Sequence, residues 1–183
     1  FDWQFISDSF RIPGGFLGLA GSFFTQFLYL PWLGSLLWIL LLLVIYQLTI
    51  RIFRIPDDYI PLALIPVALL IIGNMSLGYG VFFMREQDHF FAPALGYIVS
   101  LIPIVAIRRL NATWSKIVFL AIWTSIGFIL FGVFAFTGTL AAALALLVQQ
   151  ELTRKERIAI VTSAIALVVI IPRIIYSAYT SYR

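Results

Sequence analysis

The sequence predicts an all-α fold: a polytopic transmembrane helical bundle of about six spans, preceded by an N-terminal interfacial helix. Three observations predict it. Of 183 residues, 62% are hydrophobic and 11% are charged, with mean hydropathy +1.05, whereas soluble domains carry about 25% charged residues. The apolar residues fall in runs close to the ~20 residues that cross a bilayer as a helix. The 12 basic residues lie mostly in pairs and triplets between those runs, as they do in loops between spans. A soluble chain of this length would need more polar surface to cover its core. The net charge of +4 and pI near 9.6 therefore read as loop charge against a membrane surface, and nucleic acid is not expected as a partner. With no cysteine, disulfides, thiolate metal sites and a cysteine nucleophile are excluded.

Each element follows from the spacing of breakers and charges. Residues 1–13 are mixed aromatic and polar, and Pro13-Gly14-Gly15 breaks the chain. Residues 16–30 are apolar but too short to span and leave a loop, so they predict a helix lying in the outer interface. Pro31 suits the first turn of a helix, and the first span covers 32–50, closed by Arg51 and Arg54. A turn at Ile55-Pro56-Asp57-Asp58 leads into a second span over 59–83, with Pro66 inside it. Its far half is expected to break at Gly73-Asn74-Met75-Ser76, Gly78 and Gly80. A third span covers 90–107 and ends on Arg108-Arg109, Lys116 falls in the following loop, and a fourth covers 117–135. A tight turn is expected at Phe136-Thr137-Gly138, then a short fifth span ending near residue 148. The sixth, 158–176, contains Pro172 and an arginine, Arg173, that can snorkel outward.

Charge decides the marginal fifth span. If it crosses, Arg51, Arg54, Arg108, Arg109, Lys116, Arg154, Lys155 and Arg157 share one side, and Arg11, Arg85, Arg173 and Arg183 share the other. Eight against four is the positive-inside bias. If it does not cross, the bias vanishes. The chain is then one transmembrane domain, 1–183, with an outer-face segment over 1–30 and a six-span bundle over 31–178. It starts on Phe1 with no basic region or cleavage site before its first apolar run, so it is expected to be part of a longer protein.

Ionisable groups buried in a bilayer point to function by default, and no Asp, Glu, Lys or His falls in the middle of a predicted span. The polar mid-span residues Gln26, Asn74, Thr124 and Ser125, with Gly127 and Gly132, read most simply as helix-packing positions. Two outer-face groups are candidates for chemistry. Glu86, Asp88 and His89 bring carboxylates beside the sole histidine, a residue that titrates near neutrality. Asp2 and Asp8 precede the interfacial helix in aromatic surroundings suited to a lipid-linked substrate. Arg11 and Arg85 are candidates for holding a phosphate, and Gln26 and Asn74 for touching a lipid or substrate. No metal spacing, phosphate-binding glycine loop or cofactor motif is present in the sequence. Asn74-Met75-Ser76 and Asn111-Ala112-Thr113 match the short glycan acceptor pattern.

At Pro13-Gly14-Gly15, Phe24-Thr25-Gln26-Phe27 and Tyr29-Leu30-Pro31-Trp32-Leu33-Gly34, and again at Gly78-Tyr79, Phe131-Gly132-Val133-Phe134-Ala135 and Leu140-Ala141-Ala142, the chain resembles an uncharacterised multi-pass inner-membrane family of Bacteroidota. The resemblance implies a bacterial envelope setting, a soluble C-terminal region beyond this segment, and, with six spans, both ends of the segment on the periplasmic face. It brings no activity. The expected role is a membrane-embedded scaffold or subunit of an envelope assembly, with the bilayer and envelope proteins as partners. The alternative is an enzyme similar to polyprenyl-linked glycosyltransferases, with Asp2 or Asp8 as base; a transporter comes third.

Overall fold

The computed structural model describes residues 10, 12–84, 90–147 and 153–180. Among the described residues there are seven α-helices and no strand: α1 Gly15–Thr25, α2 Pro31–Phe53, α3 Leu64–Met84, α4 Ala92–Arg108, α5 Thr113–Phe131, α6 Val133–Leu147 and α7 Arg154–Thr180. Four stretches are long and apolar enough to cross a membrane: Pro31–Phe53, Asp57–Ser76, Thr113–Phe131 and Arg154–Ile175. Two more helices, Ala92–Arg108 and Val133–Leu147, are apolar but shorter. The chain divides into two compact units, one of Phe1–Arg11 and Gly15–Ile98, the other of Ile12–Gly14 and Val99–Arg183.

In the first unit, α1 tightens into a 3-10 segment, Gln26–Tyr29, and Leu30 turns extended (φ −105°, ψ 99°) as the N-cap of α2. Pro31 takes the first helical position, where its missing N–H costs nothing. Arg54 closes α2 in the left-handed conformation (φ 51°), its N–H bonded to the Ile50 carbonyl. Pro56 blocks any continuation, and a 3-10 segment, Asp57–Ala63, leads into α3. The break expected around Gly73–Ser76 is absent, since α3 runs unbroken from Leu64 to Met84. A glycine costs a helix about 1 kcal/mol, whereas an unpaired backbone group in apolar surroundings costs several. Breaking the helix would therefore cost more than keeping the glycine inside it.

The second unit is organised by a one-residue corner. Gly132 adopts φ 59°, ψ −133°, ending α5 at Phe131, and α6 starts at Val133. The turn expected at Phe136-Thr137-Gly138 therefore lies inside α6. Thr137 donates its hydroxyl to the Phe134 carbonyl and stays helical. Gly138 serves close approach instead: a Cβ there would fall 2.9 Å from the Ser100 carbonyl oxygen and 3.0 Å from Pro103 Cγ of α4. Side chains about equally distant from Gly132 meet across the corner. The Phe128 and Phe136 rings stack at 4.6 Å, a Cβ on Gly127 would sit 3.0 Å from Ala135 Cβ, and Thr124 bonds to Thr139. That pairing makes α5 and α6 an antiparallel hairpin. A hydrogen bond from Thr113 to Glu156 joins the starts of α5 and α7, so α7 runs parallel to α5 and packs on both helices. Lys116 lies in the first turns of α5, on its buried face, and not in a loop.

Candidate functional site

The polar side chains of the second unit form a seam along the hairpin. On α5 the buried positions are Lys116, Leu120, Thr124, Gly127 and Phe128, a stripe at helical spacing. On α6 they include Ala135, Gly138, Thr139, Ala142 and Leu146. In the middle, Thr124 and Thr139, both fully buried, lie 2.8 Å apart, Oγ1 to Oγ1. Each hydroxyl also faces a carbonyl of its own helix, Thr124 that of Leu120 at 2.6 Å and Thr139 that of Ala135 at 2.9 Å. Two protons serve three contacts, so one threonine donates across the interface while the other donates back along its helix.

Beside this pair the Trp123 indole stacks between Phe119 and Phe131, at centroid distances of 6.4 and 6.1 Å. Gly127 leaves the gap over which Trp123 and Phe131 approach. The Trp123 Nε1–H is buried with no acceptor among the described residues.

The two ends of the seam differ in kind. At the corner, Gly14 (φ 89°) donates its N–H to the Ile129 carbonyl at 3.0 Å. A Cβ on either Gly14 or Gly132 would come within 3.3 Å of the other's Cα. The other end is charged. Thr113 Oγ1 donates to Glu156 Oε1 at 2.7 Å, and the Thr153 hydroxyl and backbone N–H donate to Glu156 Oε2 at 2.7 and 2.9 Å. Thr153 and Glu156 make a capping box on α7. Lys116, 3% exposed, lies close enough for the Glu156 carboxylate to feel its charge.

The described residues of the first unit include polar ties and an apolar hollow. Asn74 Nδ2 donates to the Phe90 carbonyl at 3.1 Å, and Thr49 Oγ1 lies 3.2 Å from the Tyr97 hydroxyl. An open cavity of about 190 Å³ is lined by Phe24, Leu37, Leu40, Leu41, Val44 and Phe91. Among the described residues, no group of three or more His, Cys, Asp or Glu could hold a metal.

A family model described as "Family of unknown function (DUF6057)" matches residues 1–183. The chain belongs to this family. No curated protein and no solved structure gives a significant match. For a DUF6057 member, then, the site rests on the residues themselves.

Of the residues singled out from the sequence, Asp2, Asp8, Arg11, Arg85, Glu86, Asp88 and His89 lie outside the described residues. Gln26 opens the 3-10 segment before α2 and is exposed. Asn74 is half-buried, with its amide engaged on Phe90. Thr124 is a packing residue, while Ser125 is exposed and bonds to its own helix. Sequence reasoning missed the charged end of the seam. Thr153-Arg154-Lys155-Glu156 before an apolar run is the written signature of a capping box. Lys116 stands on the same helical stripe as Leu120 and Thr124, a periodicity that marks it as inward-facing.

Proposed function

We propose that this DUF6057 chain is a multi-pass protein of the bacterial inner membrane, a structural subunit of an envelope assembly. The observation that carries membrane embedment is the apolar surface of its longest helices. On α2, Trp32, Leu36, Ile39, Leu40, Leu43 and Val44 are all exposed, as are Leu64, Ile65, Leu69, Ile72 and Met75 on α3. Soluble proteins rarely leave apolar patches of this extent open to water, and hydrocarbon is the solvent that suits them. In this reading α2 to α7 make six crossings, α1 lies along the outer face, and both ends of the segment are periplasmic. The antiparallel hairpin supports a crossing by α6 despite its 15 residues. The scaffold role is supported by seam contacts that are used in packing helices together.

The cysteine-free sequence makes topology directly readable. Single cysteines at Asn111 or Arg154 should react with a membrane-impermeant maleimide only after permeabilisation, and cysteines at Tyr29 or Val133 in intact spheroplasts. Labelling of Arg154→Cys from outside would remove the crossing by α6. The subunit role is tested by purification in mild detergent, where envelope proteins should co-purify. A strictly monomeric preparation with no partner overturns that role.

A further inference from the structure

The charged end of the seam holds a lysine on the buried face of α5. Lys116 is 3% exposed, yet its side chain makes no hydrogen bond or ion pair among the described residues. The nearby carboxylate is already taken, because Glu156 accepts from Thr113 on one oxygen and twice from Thr153 on the other. Glu156 is also the sole carboxylate among the described residues of this unit. Helical side chains lean toward the N-terminus of their helix. The Lys116 stem therefore carries its ammonium toward the start of α5, at the end of the bundle where α7 also begins.

What surrounds that point suits an anion. Ala112 gives α5 no side-chain cap, so the first-turn N–H groups and the positive end of the helix dipole face outward. Arg154 and Lys155 stand exposed in the first turn of α7. Trp114, 74% exposed on the first turn of α5, is an aromatic of the kind that settles at headgroup level. A lysine on the buried face of α5, an uncapped helix start, two exposed cations and an interfacial tryptophan select a phosphate at the membrane surface.

We propose that this end of the unit binds the phosphate of an anionic phospholipid headgroup, with the Lys116 ammonium as its innermost ligand and Arg154 and Lys155 at its rim. The site presupposes the membrane reading above.

The test uses the full chain, solubilised in detergent, with phosphatidylglycerol, phosphatidylcholine and inorganic phosphate as separate probes and thermal unfolding as the readout. Phosphatidylglycerol should raise Tm in a saturable way, while phosphatidylcholine and inorganic phosphate do so weakly. Lys116→Met should keep the fold and weaken phosphatidylglycerol binding about tenfold or more, as loss of one charge-assisted hydrogen bond requires. Should Lys116→Met fail to fold, the paired change Arg154→Ala/Lys155→Ala on exposed positions decides the matter, with weakened binding expected. Equal shifts from phosphatidylcholine, or an undiminished phosphatidylglycerol shift in the variants, overturn the site. Inorganic phosphate matching the lipid overturns the lipid as its source. Alkaline extraction from phosphatidylcholine vesicles separates the two readings. A chain that resists extraction yet shows no headgroup preference loses only the site, and one that is extracted loses the membrane reading as well.

Discussion

Thr124 and Thr139 share a 2.8 Å hydrogen bond across the α5–α6 hairpin, one eight residues before Gly132 and the other seven after it. Because each hydroxyl has its own helix carbonyl to fall back on, removing either one leaves no polar group stranded. Thr124→Val and Thr139→Val should each cost about 1 kcal/mol or less. The coupling in a double-mutant cycle should lie near the ~0.6 kcal/mol average for interhelical hydrogen bonds in membranes, with about 1.7 as a ceiling. Unfolding in mixed micelles measures it, and a coupling near zero would mean that the contact is incidental.

Gly132→Ala and Gly73→Ala should move stability in opposite directions. At Gly132 the backbone angles suit glycine alone, and an added Cβ meets Gly14 Cα at 3.3 Å, so a loss of about 1–3 kcal/mol is expected. At Gly73, inside α3, an added Cβ meets nothing within 4 Å, so alanine should gain about 0.5–1 kcal/mol through helix propensity. Paired melting curves in one detergent check both signs together.

Gly138→Leu should separate α4 from α6. The obstacle is backbone, the Ser100 carbonyl at 2.9 Å, as well as the Pro103 ring at 3.0 Å, and backbone does not yield as a side chain end does. Gly138→Ala should already lower Tm and Gly138→Leu lower it further, as melting curves in one detergent would show.

Thr153→Ala removes both a cap and a donor to Glu156, and should cost about 0.5–2 kcal/mol. Glu156→Ala should cost more, since it also releases Thr113 and so the tie between the starts of α5 and α7. Hydrogen exchange at the first turn of α7 should rise in both variants, and at the first turn of α5 only in Glu156→Ala.

Phe91→Ala removes a ring that is fully buried against Phe24, Trp38 and Phe90. In a soluble core such a change costs about 3–5 kcal/mol. On the membrane reading, lipid is as apolar as the site, which leaves packing as the main loss, so the cost should fall below that range.

Much of this architecture is legible in the chain. Pro31, Arg54, Pro56 and Arg108 end or start helices where their chemistry says they should, and the apolar runs locate each helix, although the corner between α5 and α6 lies at Gly132 and not at residues 136–138. The glycines mislead for one shared reason, which is that their surroundings decide what they do. Gly132 and Gly138 look alike in sequence, and only the positive φ of the first makes it the corner. Gly73 likewise reads as a breaker, although in apolar surroundings an intact hydrogen-bond ladder outweighs its propensity. Lys116 reads as a loop residue because a lysine near an arginine pair resembles loop charge. Its inward direction depends on the phase of the Lys116–Leu120–Thr124 stripe, which local composition does not convey.

The hydrogen bond from Gly14 to the Ile129 carbonyl makes the second unit discontinuous in sequence. Its donor segment, Ile12–Gly14, is synthesised more than a hundred residues before the helix end it closes, with the whole of Gly15–Ile98 between them. No single cut can therefore release this unit intact. A fragment beginning at Val99 keeps α5 to α7 but leaves the Ile129 carbonyl open at the Gly132 corner, and it regains its lost donor only by taking up residues 12–14 as a separate peptide.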